Sequence, residues 1–417
     1  MGGVGNVGEK RVRVRAQFLR LSVILFCAEL AHGMLLYAII PDLVRHKFPD
    51  ALEVAAFCVG GYTLAELLCK VPAGHRVDRF GPDLPLLLGL GVSLATVPLI
   101  LFTGEPLWMI TGSFLHGAGA APVWPAVISS WTRGRSPRER GEIMGQILTG
   151  WMAGLGMGFV SGQFLLDLSG RAELVVNFAP ILMWIVTLGA LAWTGQRLGY
   201  PALPEEGDLV EPVASEGFPP ELKTMAIGLF LQNLAFGALI LPFNFVMLDH
   251  FHLTRMEFAS MLVLGGGPAV LLMGPMGKLS DRVGRRRAVI GAMWVVAPMI
   301  AAAPFLSFLK ITHWSLILLL VPGLIVAGAA YAFLLPAWHA LALGRIPENQ
   351  RGRSLALLMS VEMAAMTLGH VLGTPLYHRI GFWVPFVIAG TIFAVLAIIY
   401  HLGYILPTEL HEEKHGH

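Results

Sequence analysis

Gly74-His75-Arg76-Val77-Asp78-Arg79-Phe80-Gly81 and Gly277-Lys278-Leu279-Ser280-Asp281-Arg282-Val283-Gly284 carry one pattern, G-x-x-x-D-R-x-G, twice. Asp78 and Asp281 stand 203 residues apart, and the flanking glycines keep that offset. Each octet sits between long apolar runs, which predicts a tight polar hairpin joining two membrane helices. Glycine permits the sharp turn. An Asp there accepts hydrogen bonds from a neighbouring helix N-terminus, where negative charge is favoured, and the Arg after it stays at the membrane surface. Two such octets at equivalent places in two hydrophobic halves mark an internal repeat. Asp78, Arg79, Asp281 and Arg282 are therefore candidate gating residues.

Composition sets the class. Of 417 residues 55% are hydrophobic and only 13% charged, against about 25% charged in an ordinary soluble domain. The chain is expected to be an all-α integral membrane protein. Cys27, Cys58 and Cys69 lie in apolar runs and suggest no disulfide framework. The first apolar run, 18–40, exceeds the ~7–15 residues of a signal-peptide core and is expected to be retained.

With ~20 residues needed per crossing, about twelve spanning helices are predicted, at 18–40, 51–73, 83–103, 106–131, 141–166, 173–195, 222–246, 255–277, 287–309, 314–343, 354–377 and 382–405. They form two pseudo-symmetric six-helix bundles, residues 1–196 and 222–417. The segment between, 197–221, is rich in proline and acid and predicts a cytosolic linker. Of 29 Lys and Arg residues, only Arg45, Lys47, Arg171, Arg255, Lys310 and Arg379 fall in outer loops if both termini are cytoplasmic. Lys70 lies near a helix end, and the other 22 fall inside. That bias sets the topology, and Arg133, Arg135, Arg138 and Arg140 read as part of it. Pro122-Val123-Trp124 and Pro336-Ala337-Trp338 are a second trace of the repeat. Two equivalent halves predict a cavity between them near the bilayer midplane.

Glu29 and His32 lie mid-run on one face of the first helix, and Glu66 falls mid-membrane in the second. An unpaired charge at that depth costs at least ~2.5–3.5 kcal/mol, so such residues line a wet interior, pair, or become neutral. Burial disfavours the charged form of a carboxylate, which is the property a proton-coupling site needs. The bland alternative is a structural contact that locks helices. One proton moving down ~150 mV releases ~3.5 kcal/mol, enough for a substrate gradient of more than about a hundredfold. No G-x-x-x-x-G-K-[ST] is present, so the proton gradient, and no cofactor, is the expected driving force. Gly150, Gly154, Gly158 and Gly162 recur every four residues and form a smooth stripe along which a helix can pack or slide, which makes them candidate gating residues against a plain packing role. Trp124, Trp151 and Trp338 are away from helix ends, and either line a cavity or pack the core. Gln232, Asn233, Asn244, His339, Glu362 and His370 interrupt apolar helices of the second half. Glu362 is the costliest to bury and the leading candidate there, while His339 and His370 read as interhelical hydrogen-bond partners. No metal-ligand spacing, no nucleophile–base arrangement and no nucleic-acid-binding feature is readable.

The octets resemble the signature loops of the major facilitator superfamily, which implies that they latch the two halves on the cytoplasmic side during alternating access. The glycine stripe stands where antiporters of that superfamily carry a glycine-rich motif, without its usual proline. Glu29-Leu30-Ala31-His32-Gly33-Met34, Ala121-Pro122-Val123-Trp124 through Ser129-Ser130, and Leu334-Leu335-Pro336-Ala337-Trp338 look like stretches of the proton-coupled glycolipid flippases. Those proteins move the diglucosyl-diacylglycerol anchor of lipoteichoic acid in Gram-positive bacteria. Glu66 also matches a carboxylate position in that group. The resemblance implies a sugar pocket in the first half, with Glu29 and Glu66 as coupling or headgroup residues and Trp124 and Trp151 lining it. The second half would take acyl chains. The group has an arginine where this chain has His32, which exchanges a permanent cation for a titratable one.

The expectation is a proton-coupled secondary transporter, monomeric, in a bacterial cytoplasmic membrane, exporting or flipping an amphipathic small molecule or a glycolipid among membrane lipids. Glu29, His32 and Glu66 are its expected coupling residues. The same three, with Trp124, Trp151, Trp338, His339 and Glu362, are its expected substrate contacts. A multidrug or sugar-efflux antiporter is served by the same residues. A non-transporting sensor or scaffold that has kept the fold is the remaining alternative.

Overall fold

A computed structural model of the protein describes residues 20–132, 137–168, 173–198, 220–309, 313–343 and 351–403. The linker at 199–219, the tail beyond Gly403, the first nineteen residues and the side chains of Arg133, Arg135, Arg138 and Arg140 lie outside that set. In chain order the helices are α1 (Arg20–Lys47), α2 (Glu53–Phe80), α3 (Asp83–Phe102), α4 (Pro106–Ala120), α5 (Val123–Thr132), α6 (Pro137–Leu168) and α7 (Glu173–Leu198). Then follow α8 (Leu222–His250), α9 (Arg255–Val283), α10 (Arg285–Phe308), α11 (His313–Leu343), α12 (Arg351–Pro375, continued by Leu376–Ile380) and α13 (Val384–His401). Among the described residues nine helices are long and apolar enough to cross a membrane, so the chain is a multi-pass membrane protein. Those nine stand at nine of the twelve expected positions. Helices also occupy the other three.

Two boundaries differ from expectation. The fourth span is divided at Ala121–Pro122 into α4 and α5. Pro122 and Pro125 remove two amide donors within four residues, too many for one helix to absorb. The G-x-x-x-D-R-x-G octets are not loops either. Helix α2 runs to Phe80 and α9 to Val283, and only the final glycines break them, Gly81 at φ 76° and Gly284 at φ 99°. Those left-handed conformations suit a residue without Cβ. The hairpins are therefore one or two residues long. At the other end of α1, a widened turn at Gly33–Ile39 precedes Pro41 and lets the helix continue to Lys47.

Helices α1 and α6 pack together, as do α2 with α4, α3 with α4, α8 with α12 and α10 with α13. Contacts between the halves run along α2–α12 and α6–α9. The glycine stripe explains one of these. A Cβ on Gly154 would lie 2.8 Å from the Phe26 carbonyl and 3.0 Å from Glu29 Cβ. One on Gly158 would strike the Leu30 carbonyl, and one on Gly162 would meet Ala38. Gly150 faces open space. Three of the four glycines thus seat the helix that carries Glu29 and His32.

Candidate functional site at the seam of the two halves

Glu29 and His32, three residues apart on α1, lie on one face, with Glu29 Oε2 3.7 Å from His32 Nδ1. From α2, Tyr62 brings its hydroxyl to 3.1 Å and 3.3 Å from the two His32 ring nitrogens. One turn further on, Lys70 Nζ is 3.0 Å from Glu66 Oε1. Glu29, His32, Tyr62 and Glu66 are all buried. Two aromatic residues close over this group. Trp124 and Trp151 present their indole N–H groups towards Glu29, the two indoles meet edge to face at 6.0 Å, and Lys70 Nζ sits 5.9 Å over the Trp124 ring. The break at Pro122 is what brings Trp124 to this position.

The second half touches the cluster directly. Lys70 Nζ donates to Met363 Sδ at 2.8 Å, and Thr367 Oγ1 to Thr63 Oγ1 at 2.8 Å. The carboxylates therefore lie at the seam between the halves. Two carboxylates share one lysine there, and neutrality at that depth requires a proton or a second cation.

In the second half Glu362 Oε1 is 3.3 Å from His339 Nε2, and both side chains are about one-fifth exposed, 21% and 20%. His339 Nδ1 lies 2.9 Å from the Leu335 carbonyl and so carries a proton. Nε2 then either donates to the carboxylate as part of a charged histidine, or accepts from a protonated Glu362 as part of a neutral one. Phe236 and Tyr331 stack at 5.7 Å on neighbouring helices. Trp338 turns the other way and is buried, while Tyr400 accepts from Gln232 Nε2 at 3.1 Å.

At the octets, Asp281 accepts from Arg285 Nε at 2.7 Å at the start of α10. Arg79 lies 5.2 Å over Phe80, and Arg79 and Arg282 are exposed. The Asp78 side chain is outside the described residues. The opposite end of the molecule is tied across the seam. Arg45 pairs with Asp249 and Arg255 with Asp42, Arg379 Nε donates to Glu53 Oε1 at 2.8 Å, and Asn244 Nδ2 to the Tyr37 carbonyl at 3.0 Å. A cavity of about 460 Å³ opens there between Arg45, His46, Asp167, Thr254 and Arg255. It is remote from Glu29 and Glu66.

Residues 21–217 and 225–416 match the profile of the Major Facilitator Superfamily. The chain belongs to that superfamily. It is a membrane transporter and not an enzyme. Among curated proteins it is similar to "Proton-coupled antiporter flippase LtaA" of Staphylococcus epidermidis, 23% identical over 398 residues that cover 93% of this chain and 94% of that protein. The protein of the same name from Staphylococcus aureus (strain USA300) is 22% identical over 403 residues, 94% and 96% of the two chains. Among solved structures, the human organic anion transporter MFSD10 superposes with a TM-score of 0.66 at 16% identity, and a single-residue mutant of the nucleoside transporter NupG with 0.69 at 13%. Each covers 93% of this chain and is itself 99% covered. At those identities they establish the fold alone.

Sequence reasoning missed Lys70, placed near a helix end and given no partner. Its signal was present: Glu66 and Lys70 are four apart, the spacing of a helical ion pair. It also missed Tyr62, which reads as an ordinary aromatic of an apolar helix.

Proposed function

We propose that this chain is a proton-coupled transporter that exports or flips an amphipathic substrate, a glycolipid, by alternating access in a bacterial cytoplasmic membrane. Both termini and the linker face the cytosol. The carrying observation is the charge count at the seam: buried Glu29 and Glu66 against one Lys70. That arrangement is neutral when it holds one proton and carries a surplus negative charge when it does not. The printed name of the staphylococcal relatives, which span nearly the whole chain, supports the same reading. Trp124 and Trp151 supply flat apolar faces with N–H donors beside a carboxylate, a lining suited to sugar hydroxyls. Lys70 supplies the permanent cation that His32 does not. The cross-seam ion pairs lie at the end carrying residues 42–53, which the positive-inside rule assigns to the exterior. This conformation is then closed outward.

The test uses the purified full chain in proteoliposomes with NBD-labelled diglucosyl-diacylglycerol and an imposed pH gradient. Glu29→Gln is expected to abolish gradient-driven flipping. Undiminished gradient-driven flipping in that variant ends the coupling assignment. Equal transport of a sugar-free amphiphile by the unaltered protein moves the substrate to a drug-like class.

A further inference from the structure

The cavity of about 460 Å³ between Arg45, His46, Asp167, Thr254 and Arg255 takes no part in the coupling site, and it is assembled from both halves. The last turn of α1 supplies Arg45 and His46, and the end of α6 supplies Leu166 and Asp167. Across the seam, Leu248 comes from the end of α8, and Leu253, Thr254 and Arg255 from the link into α9. That link is fixed locally. His252 takes a left-handed conformation at φ 53°, which histidine adopts more readily than most residues. Thr254 and Glu257 then form a capping box: the Thr254 amide donates to Glu257 Oε2 at 2.8 Å, and the Glu257 amide to Thr254 Oγ1 at 3.2 Å. Arg255 is thereby held at the first position of α9, paired with Asp42 of α1.

The lining offers donors, acceptors and apolar surface together. Arg45 and Arg255 are each answered by an aspartate, Asp249 and Asp42, yet a guanidinium has five N–H donors and one carboxylate does not use them all. Asp167 is exposed and has no ion-pair partner among the described residues, so its oxygens are open acceptors. His46 Nδ1 lies 2.8 Å from the Asp42 carbonyl and donates, which leaves Nε2 as an acceptor in the neutral ring. Leu166, Leu248 and Leu253 add an apolar wall. Three carboxylates against two guanidinium groups leave a surplus negative charge, which disfavours phosphate or sulfate. No cluster of metal-ligating residues is present among the described residues. The ligand class that remains is neutral, with hydroxyls that both donate and accept around an apolar face. The volume falls within the roughly 300–1,000 Å³ of small-ligand pockets.

We propose that this cavity binds a neutral hexosyl group and that, once filled, it holds the mouth of the transporter shut. The inference rests on the reading above, which places this end outside and gives the transported lipid a sugar headgroup. Opening the mouth parts α1 and α6 from the link and α9, so the site exists only while the Arg45–Asp249 and Arg255–Asp42 ties are closed. A ligand that binds one conformation alone shifts the population towards it. A hexosyl group on lipid already delivered to the outer leaflet, or on a soluble glycoside, therefore slows further transport. The site is a feedback sensor on the product side.

The experiment uses the purified full chain, with diglucosyl-glycerol, the headgroup without acyl chains, as the probe. It reads thermal unfolding in detergent, and flipping of NBD-labelled diglucosyl-diacylglycerol in proteoliposomes with the probe on both faces. At a probe concentration tenfold above its dissociation constant the closed state gains weight by about elevenfold. Flipping is then expected to fall severalfold and the unfolding temperature to rise. Asp167→Asn, at an exposed position outside the coupling site, is expected to flip at the unaltered rate without probe and to lose most of both responses. His46→Ala is expected to act in the same direction more weakly. Slowing that survives Asp167→Asn undiminished is competition at the Trp124–Trp151 site and overturns the outer one, as does the absence of any response in the unaltered protein. A stronger response to glycerol phosphate or to ethanolamine than to the probe overturns the neutral-sugar assignment. An unfolding shift that needs Asp167, in a protein that flips no glycolipid, keeps the site and sinks the transport reading. Unlabelled diglucosyl-diacylglycerol in place of the probe separates the sources: an Asp167-dependent response to it makes membrane product a ligand, and a response to the probe alone restricts the site to soluble glycosides.

Discussion

Glu29 and Glu362 are both carboxylates set in apolar helices beside a histidine, one in each half, yet their surroundings differ in charge and in water. Glu29 is buried under two indoles, shares Lys70 with Glu66, and belongs to a group with more acids than fixed cations. Glu362 pairs with His339 alone among the described residues, and a fifth of each side chain reaches solvent. A half-wet pair that neutralises itself needs nothing from outside, whereas a buried group with surplus acid must hold a proton. The helices diverge in the same places. Pro122, followed by Pro125, breaks the fourth span and aims Trp124 at Glu29. Pro336 is accommodated inside an unbroken α11, and Trp338 turns into the interior. One repeated pattern places a tryptophan over a buried carboxylate in the first half and into the interior packing in the second.

The largest effect that can break this comparison is on coupling. Glu29→Gln is expected to cut gradient-driven flipping by about 10²–10⁴-fold, as for loss of an essential proton acceptor, while Glu362→Gln costs about 1 kcal/mol, the worth of one hydrogen bond. Equal losses measured in proteoliposomes erase the distinction between the halves. Next comes Lys70→Met, which leaves a buried acid without its cation and is expected to cost about 3–5 kcal/mol of stability. Thermal unfolding in detergent measures it, and adding Glu66→Gln to that variant is expected to recover most of the loss. Smaller is Gly158→Ala, whose methyl meets the Leu30 carbonyl and is expected to cost about 1–3 kcal/mol by overpacking. Gly150→Ala, facing open space, is expected to stay within about 0.5 kcal/mol. Smallest is Asp281→Asn, which removes a half-exposed pair with Arg285 worth about 0–1 kcal/mol. Its unfolding temperature is expected to stay close to that of the unaltered protein.

The fold was legible because a bilayer leaves few options: apolar length, a repeated octet and the distribution of Lys and Arg constrain helices and topology together. The trio Glu29, His32 and Glu66 was legible for the same reason, since ionisable groups stand out against an apolar background. Other features were hidden because they depend on proximity across helices. Nothing in the sequence near His116 says that Trp184, 68 residues later, stands edge-on to it. The octets misled in a different way. Polar residues read as a loop, but in water just beyond the membrane they continue a helix until a glycine with positive φ ends it.

The ties across the end that carries residues 42–53 have an electrical consequence. Each half contributes acid and base to the crossing, with Asp42 and Arg45 meeting Arg255 and Asp249. Shutting or parting that mouth therefore carries no net charge through the membrane field. Voltage then acts on the ion that is carried and leaves the door itself indifferent to it.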